Sequence, residues 1–298
     1  MASFLLLLVC LSLGMLARRI GAPPEDLARS LNWWLLHVAL PAMVLELIPH
    51  LQFNPSLWFP IASMWLIFCG SWWLFHRLGT SLGWPRGTIG AAVLAGGLSN
   101  TAFVGFPLIE ALRGKGVLVY AAIADQLGSF ICAAIGGALV VAMYSGGKVD
   151  TRSILRRVML FPPFVALVAA LIVALTPGWP PVVNTVLARI SGTLAPIALF
   201  SVGLQLQLKL SDHGALPFFT TLGWKLGLAP LMIVLLGWLF QIDQPVLAVT
   251  VLQAAMAPMV TAAILCEQGN LDSPLANLMV GVGVLLSFIT VPLWNLLV

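Results

Sequence analysis

The chain has 298 residues, of which 60% are hydrophobic and only 8% are charged, and its formal net charge at pH 7 is +4. A soluble domain has about 25% charged and about 45–50% apolar residues, so this chain has too little polar surface to cover a globule in water. The composition excludes an ordinary soluble domain and predicts an all-α polytopic membrane protein whose solvent is the lipid bilayer. The basic residues are spread over short connectors and give no reason to expect a nucleic-acid partner.

Ten apolar segments follow one another along the chain. A transmembrane helix needs about 20 residues to cross a hydrocarbon core of about 30 Å. The first segment is followed, and not preceded, by Arg18 and Arg19, which is typical of a first membrane helix and not of a cleaved signal peptide. The predicted segments are 2–17, 31–49, 57–75, 88–111, 117–144, 158–176, 184–207, 216–240, 245–266 and 274–297.

Basic residues in the connectors predict the orientation of the chain. Short loops rich in Lys and Arg stay in the cytoplasm, and one side of the predicted bundle carries most of these residues. The opposite side has Arg113 and Lys115. With an even number of crossings, both termini are then expected outside the cytoplasm. The basic residues of the predicted cytoplasmic side are Arg18, Arg19, Arg29, Arg77, Arg86, Lys148, Arg152, Arg156, Arg157 and Lys209.

The connector 146–157 is expected in the cytoplasm and divides the segments into five and five, over residues 1–145 and 158–298. Two halves with an odd number of crossings have opposite orientations in the membrane, which is the architecture of inverted-repeat transporters. A faint internal similarity, VALPAMVL against TLAPIALF, places Pro41 opposite Pro196. We therefore predict ten helices in two inverted five-helix repeats.

The fourth segment of each half, helix 4 and helix 9, is interrupted. GGLSNTAFVGFP, residues 96–107, and QAAMAPMVTAA around Pro258 hold helix-weakening and polar residues within apolar runs. Irregular backbone inside lipid is tolerated only where protein or a water-filled cavity covers it, and the ends of half-helices can bind ions. The alternative is a tightly packed pair of helices with small residues and a proline kink. The crossover hypothesis makes substrate-binding candidates of Ser99, Asn100, Thr101, Gly105, Pro107, Gln253, Pro258 and Thr261.

Asp125, in AAIADQLGSF, is predicted to lie about 12 Å from the outer face, at the level of the crossover. An ionisable residue at this depth costs about 2.5–3.5 kcal/mol on insertion scales and is by default a functional candidate. We assign Asp125, with Gln126 and Lys225, to coupling, because a carboxyl group can take up and release a proton. Two alternatives stay open: Asp125 and Lys225 form a structural pair, or Lys225 extends to the membrane interface.

The remaining polar residues predict no catalytic or metal centre. Glu46 and Arg189 fall near outer helix ends, where a solvated or structural pair is expected. The His and Cys residues lack metal-ligand spacing, and the sequence has no nucleophile–base pair and no phosphate loop. We therefore expect neither an enzyme activity nor a cofactor.

Four stretches resemble the bacterial auxin efflux carrier family, relatives of the plant PIN transporters: SNTAFVGFPLIEALRGKG, AAIADQLGSF, TLAPIALFSVGLQL and LQAAMAPMVTAAILCEQGN. The similarity extends over essentially the whole chain, and the N-T-x-x-x-G-x-P block is its most specific part. It implies a scaffold of helices 1, 2, 6 and 7, a transport domain of helices 3–5 and 8–10, and a homodimer in a bacterial inner membrane. It also implies an elevator-type secondary transporter of a small organic anion, a malonate-, malate- or auxin-like mono- or dicarboxylate, usually without sodium.

One position departs from the family pattern. Helix 6 of relatives often opens with Asn-Pro, whereas this chain has Phe161 before Pro162. If that asparagine holds substrate in relatives, this protein must hold its substrate differently. Two other functions stay open. One is a sodium symporter of the bile-acid type, with oxygen ligands from Asn100, Gln126 and Gln253, and the other is a membrane receptor that binds a ligand without moving it.

Overall fold

The computed structural model describes residues 2–21, 23–51, 54–146, 151–206 and 215–298. Lys148 and Lys209, two residues used above to predict orientation, lie outside these ranges, as does the side chain of Arg157. In chain order the helices are α1 (Ala2–Ile20), α2 (Leu27–His50), α3 (Pro55–Ser81), α4 (Arg86–Gly97), α5 (101–113), α6 (Lys115–Ser145), α7 (Thr151–Met159), α8 (Pro162–Val173), α9 (Pro181–Gln205), α10 (Ala215–Leu239), α11 (Gln244–Ala254), α12 (Val260–Gln268) and α13 (Ser273–Asn295).

The described part of the chain is all helical, as the composition predicts, and its one β-type contact is an isolated bridge between single residues. Seven of the described helices are long and apolar enough to cross a membrane, namely α1, α2, α3, α6, α9, α10 and α13. The protein is therefore a multi-pass membrane protein. The other predicted segments are short, as in α8, or broken, as in α4 with α5 and α11 with α12, so the count of ten depends on joining these pieces.

The connector 146–157 overlaps a helix that the sequence analysis did not predict. α7 has the sequence TRSILRRVM, in which Arg152 and Arg156 are four residues apart, as are Ile154 and Val158. This pattern gives a helix one apolar and one basic face. An amphipathic helix therefore forms where the polar content suggested only a connector.

α1 and α9 pack against each other at a pair of glycines. A Cβ atom at Gly14 would lie 2.2 Å from the carbonyl oxygen of Phe200, and one at Gly203 would lie 2.3 Å from that of Leu11. The two backbones are thus in direct contact, as small residues allow between membrane helices. This contact sets the spacing of α1 and α9.

α4 is buried on all sides. Every residue from Thr88 to Gly97 is buried, and the helix packs against α3, α6, α12 and α13. Its small and apolar residues, TIGAAVLAGG, permit contact on every face. The C-terminus of α4 therefore lies deep inside the protein, where the helix stops.

Candidate functional site

Two interrupted helices meet at one point, which we call the crossover. Residues 98–100, after α4, and residues 255–259, after α11, leave the helical conformation. They run antiparallel and form a bridge between Ser99 and Pro258. The interruptions predicted within residues 96–107 and around Pro258 are confirmed, and the two segments contact each other.

Two backbone hydrogen bonds join the two segments of the crossover. The amide N of Asn100 donates to the carbonyl O of Ala257 at 2.8 Å, and the amide N of Met259 donates to the carbonyl O of Leu98 at 2.9 Å. They satisfy backbone groups that the helix breaks leave free, so irregular backbone can be stable although it is buried. A packed pair of continuous helices with only a proline kink does not describe these segments, and that alternative is wrong.

Asn100 is the N-cap of α5, and its side-chain amide is a hydrogen-bond donor without a partner among the described residues. Its side-chain oxygen accepts a hydrogen bond from the amide N of Phe103 at 3.2 Å, as the N-cap of a helix does. Its Nδ2 group is buried and has no hydrogen-bond partner in the described structure. Because helix N-termini carry partial positive charge, this amide group and the start of α5 together suit an anion.

Asp125 is buried beside the crossover, with 4% of its surface exposed. The hydroxyl of Thr101 donates to Oδ1 at 2.5 Å, and Nε2 of Gln126 donates to Oδ2 at 2.7 Å. Asp125 lies in a π-helical turn of α6, Ala124–Ser129, and such turns frequently occur at functional sites. The carboxyl group is thus connected directly to the first residue of α5.

Lys225 is fully buried at the crossover, but it does not contact Asp125. Its Nζ atom donates to Oγ of Ser99 at 2.7 Å and to the carbonyl O of Ala254 at 2.6 Å. No ion pair joins Asp125 to Lys225 in the described structure. The two alternatives, a structural pair of these residues and an extension of Lys225 to the interface, are therefore wrong.

A cavity of about 270 Å³ borders the crossover. Asn100, Asp125 and Thr261 are its polar lining, and no described basic residue lines it. Small-molecule sites are typically concave and mostly apolar with a few polar groups, which makes this cavity the candidate site. Its apolar lining residues are Leu36, Leu40, Ala102, Phe103, Phe130, Ala133, Ala134, Ala138, Phe161, Met259, Val260 and Leu265.

Two aromatic rings form part of the cavity wall. Phe130 and Phe161 stack with their ring centroids 3.9 Å apart and an angle of 13° between the ring planes. Phe161 immediately precedes α8, so the residue that departs from the family pattern lies at the cavity. Both residues also line a second cleft, which includes His37 and Arg156. The stacked rings thus lie between the cavity and a basic cleft.

Comparison with known proteins identifies the family. The family model described as membrane transport protein matches residues 1–295. The chain belongs to this family, the auxin efflux carriers. The carrier is 27% identical to an uncharacterized transporter of Methanothermobacter thermautotrophicus, over 97% of its own length and 95% of that protein. It is 25% identical to the uncharacterized transporter YfdV of Escherichia coli K12 and of Shigella flexneri, over 97% of its own length and 94% of theirs.

Only some of the predicted site residues of the carrier line the cavity. Asn100, Thr261 and Asp125 do so. Pro107 is buried in α5 and is not part of the wall. The other predicted residues lie at the crossover or beside it without lining the cavity: Ser99, Thr101, Gly105, Gln126, Lys225, Gln253 and Pro258.

Gln253 fills the space next to α5. Its Nε2 atom lies 3.4 Å from the carbonyl oxygens of Thr101 and Ala121. A Cβ atom at Gly105 would lie 2.4 Å from Oε1 of Gln253, so the glycine makes room for this side chain. Oε1 of Gln253 and Oε1 of Gln126 are buried without hydrogen-bond partners in the described structure. Either amide oxygen is suited to accept a hydrogen bond or to coordinate a cation.

Of the apolar and aromatic residues that line the cavity, the sequence singled out Phe161 but not the others. Phe103 and Phe130 lie in two of the four stretches quoted for the resemblance, yet their hydrophobic character made them indistinguishable from lipid-facing or core residues. Leu36 and Leu40 come from α2, far away in sequence. In a chain that is 60% hydrophobic, no composition signal could identify them.

Glu46 has a structural role near one end of α2. Its Oε1 atom accepts a hydrogen bond from Nζ of Lys115 at 2.5 Å, and its Oε2 atom accepts one from the hydroxyl of Ser191 at 2.5 Å. Glu46 thus pairs with Lys115, and no ion pair joins it to Arg189 among the described residues, so the pair of Glu46 with Arg189 is wrong. Within the described residues, no group of three or more His, Cys, Asp or Glu side chains is placed to hold a metal ion.

Proposed function

We propose that the carrier is a secondary active transporter of a small organic anion that binds at the crossover. The observation that supports this function best is the side-chain amide of Asn100, an unpaired donor on a residue of the cavity wall at the start of α5. Half-helix N-termini in broken-helix transporters face anionic substrate groups. A carboxylate at this position would accept a hydrogen bond from Asn100.

The lining of the cavity favours a monocarboxylate with an apolar body over malonate or malate. A second carboxylate group would face either Asp125 or apolar side chains, because no basic residue of the described chain lines the cavity. An unpaired buried charge is costly. An auxin-like acid has one carboxylate on an apolar ring, and its ring would contact the stacked Phe130 and Phe161.

We assign the coupling of transport to protons to Asp125. A bound anion and an ionised Asp125 would repel each other across the same cavity. Anion binding is therefore favoured when Asp125 is protonated, so that the substrate and a proton move together. The hydrogen bond from Thr101 connects this carboxyl group to the residue next to Asn100.

We propose an elevator motion between two groups of helices. In the ten-helix inverted-repeat description, α4 and α5 count as helix 4, and α11 and α12 count as helix 9. The scaffold then comprises α1, α2, α8 and α9, and the transport domain the other membrane helices. Leu36 and Leu40 of α2 and Phe161 before α8 face the crossover across the cavity, which supports a site between the two groups. We also propose that the carrier forms a homodimer in a bacterial inner membrane, with both termini outside the cytoplasm.

A sodium-coupled symporter of the bile-acid type is the second candidate. It is favoured by the buried amide oxygens of Gln126 and Gln253, which have no hydrogen-bond partners in the described structure. Broken-helix transporters coordinate sodium through oxygen atoms at such interruptions. Coupling to sodium would then use these oxygens together with Asp125.

Uptake into proteoliposomes tests the proposal. Radiolabelled indole-3-acetate, benzoate, malonate and malate are offered with an inward proton gradient in choline buffer and, separately, in sodium buffer without a proton gradient. Protein-free liposomes give the background, because the neutral forms of indole-3-acetic and benzoic acid cross bilayers unaided. Above this background, we expect proton-driven uptake of the monocarboxylates and little uptake of the dicarboxylates. Uptake only with sodium would favour the symporter. Binding of an acid without any flux would favour a receptor.

A further inference from the structure

Lys225 is a buried cation that the cavity does not use. Its side chain is fully buried and is not part of the cavity wall. It lies in a π-helical turn of α10, Trp224–Leu228, whereas Leu228 and Leu231 of the same helix are 56% and 41% exposed. The side chain thus extends from a peripheral helix to the crossover.

The partners of Lys225 come from both broken helices. Ser99 lies in the break after α4, and Ala254 is the last residue of α11. The ammonium group donates to the hydroxyl of Ser99 at 2.7 Å and to the carbonyl of Ala254 at 2.6 Å. Both helices end here, and helix C-termini carry partial negative charge. Unwound carbonyls and half-helix C-termini are the groups that coordinate a coupling cation in broken-helix transporters.

The charge of Lys225 is not compensated by any carboxylate among the described residues. Within the described residues, no salt bridge involves Lys225, and Asp125 is instead bonded to Thr101 and Gln126. A buried ammonium group without compensation is strongly unfavourable. The oxygen atoms and the helix ends of the crossover therefore stabilise it.

We propose that the Lys225 ammonium is a tethered cation that takes the place of a free monovalent coupling cation at the crossover. The positive charge is hydrogen-bonded to Ser99, which directly precedes the anion donor Asn100, in a site whose described wall has no basic residue. Lys225 thus increases the affinity for an anion and makes sodium unnecessary at this position. This inference deepens the proposed function and depends on it only for the bound anion.

Thermal unfolding of the purified protein in detergent tests the tethered cation without any transported substrate. The wild type and Lys225→Ala are compared in NaCl, ethylammonium chloride and choline chloride at equal ionic strength. Choline is too large for the space left by the ammonium group. We expect the Tm of Lys225→Ala to rise by about 2–4 °C in NaCl or ethylammonium chloride relative to choline chloride, and by more than any shift of the wild type.

Lys225→Gln is the second variant, for the case that Lys225→Ala does not fold. Gln is shorter than Lys, lacks the charge and has an amide oxygen that can ligate a cation beside Ser99 and Ala254, so the same cation-dependent shift is expected. Equal Tm values of a folded variant in all three salts, or a shift no larger than that of the wild type, would overturn the inference. Failure of both variants to fold in every salt would also overturn it, because a vacated cation position should be filled by sodium.

Transport assays of the wild type distinguish a failure of this inference from a failure of the proposed function. If the wild type carries no anion but the variants show the cation-dependent shift, the tethered cation stands and the proposed substrate class falls. If the wild type transports a monocarboxylate while the variants show no shift, the proposed function stands and the role of Lys225 as a cation substitute falls.

Discussion

Three successive residues at the crossover and the start of α5 have three different roles. Ser99 accepts a hydrogen bond from the Lys225 ammonium, Asn100 has the free amide donor at the cavity, and Thr101 donates to the Asp125 carboxyl group. Three consecutive residues thus bring together the Lys225 ammonium group, the Asn100 amide donor and the Asp125 carboxyl group. This connection explains why substrate, proton and fixed charge can affect one another in the proposed mechanism.

Asp125→Asn is expected to abolish proton-driven uptake and to leave substrate exchange largely intact. Asn is nearly the same size and can still accept the hydrogen bond from Thr101. Its new amide group would oppose Nε2 of Gln126, but Gln126 can rotate and accept through its unpaired oxygen. Uptake driven by a pH gradient and counterflow without a gradient are measured in the same proteoliposomes.

The yield of folded Asp125→Asn is the control. Because Asp125 does not pair with Lys225, removal of its charge leaves no uncompensated cation, and a yield similar to that of the wild type is expected. Uptake that still follows the pH gradient in this variant would contradict the coupling role of Asp125.

The sequence predicts the polar members of the site but not their partners. Asn100, Asp125 and Lys225 stand out because polar groups are rare in a chain with 8% charged residues. The obvious pairing of the deep acid with the deep base is wrong, since the helix break offers each of them a nearer partner. Hydrogen bonds formed by the irregular chain depend on its path, and periodicity does not encode that path.

At the scale of helices, the crossover depends on a glycine that makes room for a side chain. Gly105→Ala would place a Cβ atom 2.4 Å from Oε1 of Gln253 and 3.3 Å from the carbonyl O of Asn100. We expect it to destabilise the protein by about 1–3 kcal/mol, as overpacking does. The matched control is Gly227→Ala, which has no atom within 4 Å of the new Cβ and lies in another π-helical turn.

Thermal unfolding in detergent distinguishes these two glycine variants. The Tm of Gly105→Ala should fall by several degrees, whereas that of Gly227→Ala should stay the same or rise slightly, because Ala is the better helix former by about 1 kcal/mol. Equal Tm values for both variants would show that the space between α5 and Gln253 is not tightly filled.

The helix breaks were predictable because their cause is local. Glycine, proline and polar residues within an apolar run weaken a membrane helix wherever they occur. The short amphipathic helix α7 was not predicted, since its Arg content suggested only a connector. The apolar pattern cannot say whether pieces such as α4 and α5 count as one membrane crossing, because that depends on their path through the bilayer.

At the scale of the whole molecule, the orientation of the chain fixes the direction from which each side of the crossover is reached. Single cysteines at Gly146 and Gly116, both exposed, are placed in a variant whose four native cysteines are replaced. A membrane-impermeant maleimide added to intact cells should label the cysteine at 116 and not the one at 146, because the basic connector is expected inside. Labelling of the cysteine at 146 alone would show that the chain has the opposite orientation to the predicted one.

An anion is expected to be carried only if residue 100 presents a hydrogen-bond donor and no negative charge to the cavity. Asn100→Asp keeps the oxygen that caps α5 but replaces the free donor by a negative group. Asn184→Asp, on α9 and away from the cavity, is the matched control. The initial rate of indole-3-acetate uptake into proteoliposomes should fall at least about tenfold in Asn100→Asp, the equivalent of about 1.4 kcal/mol, and stay unchanged in Asn184→Asp. Wild-type uptake by folded Asn100→Asp would contradict an anion site at the crossover.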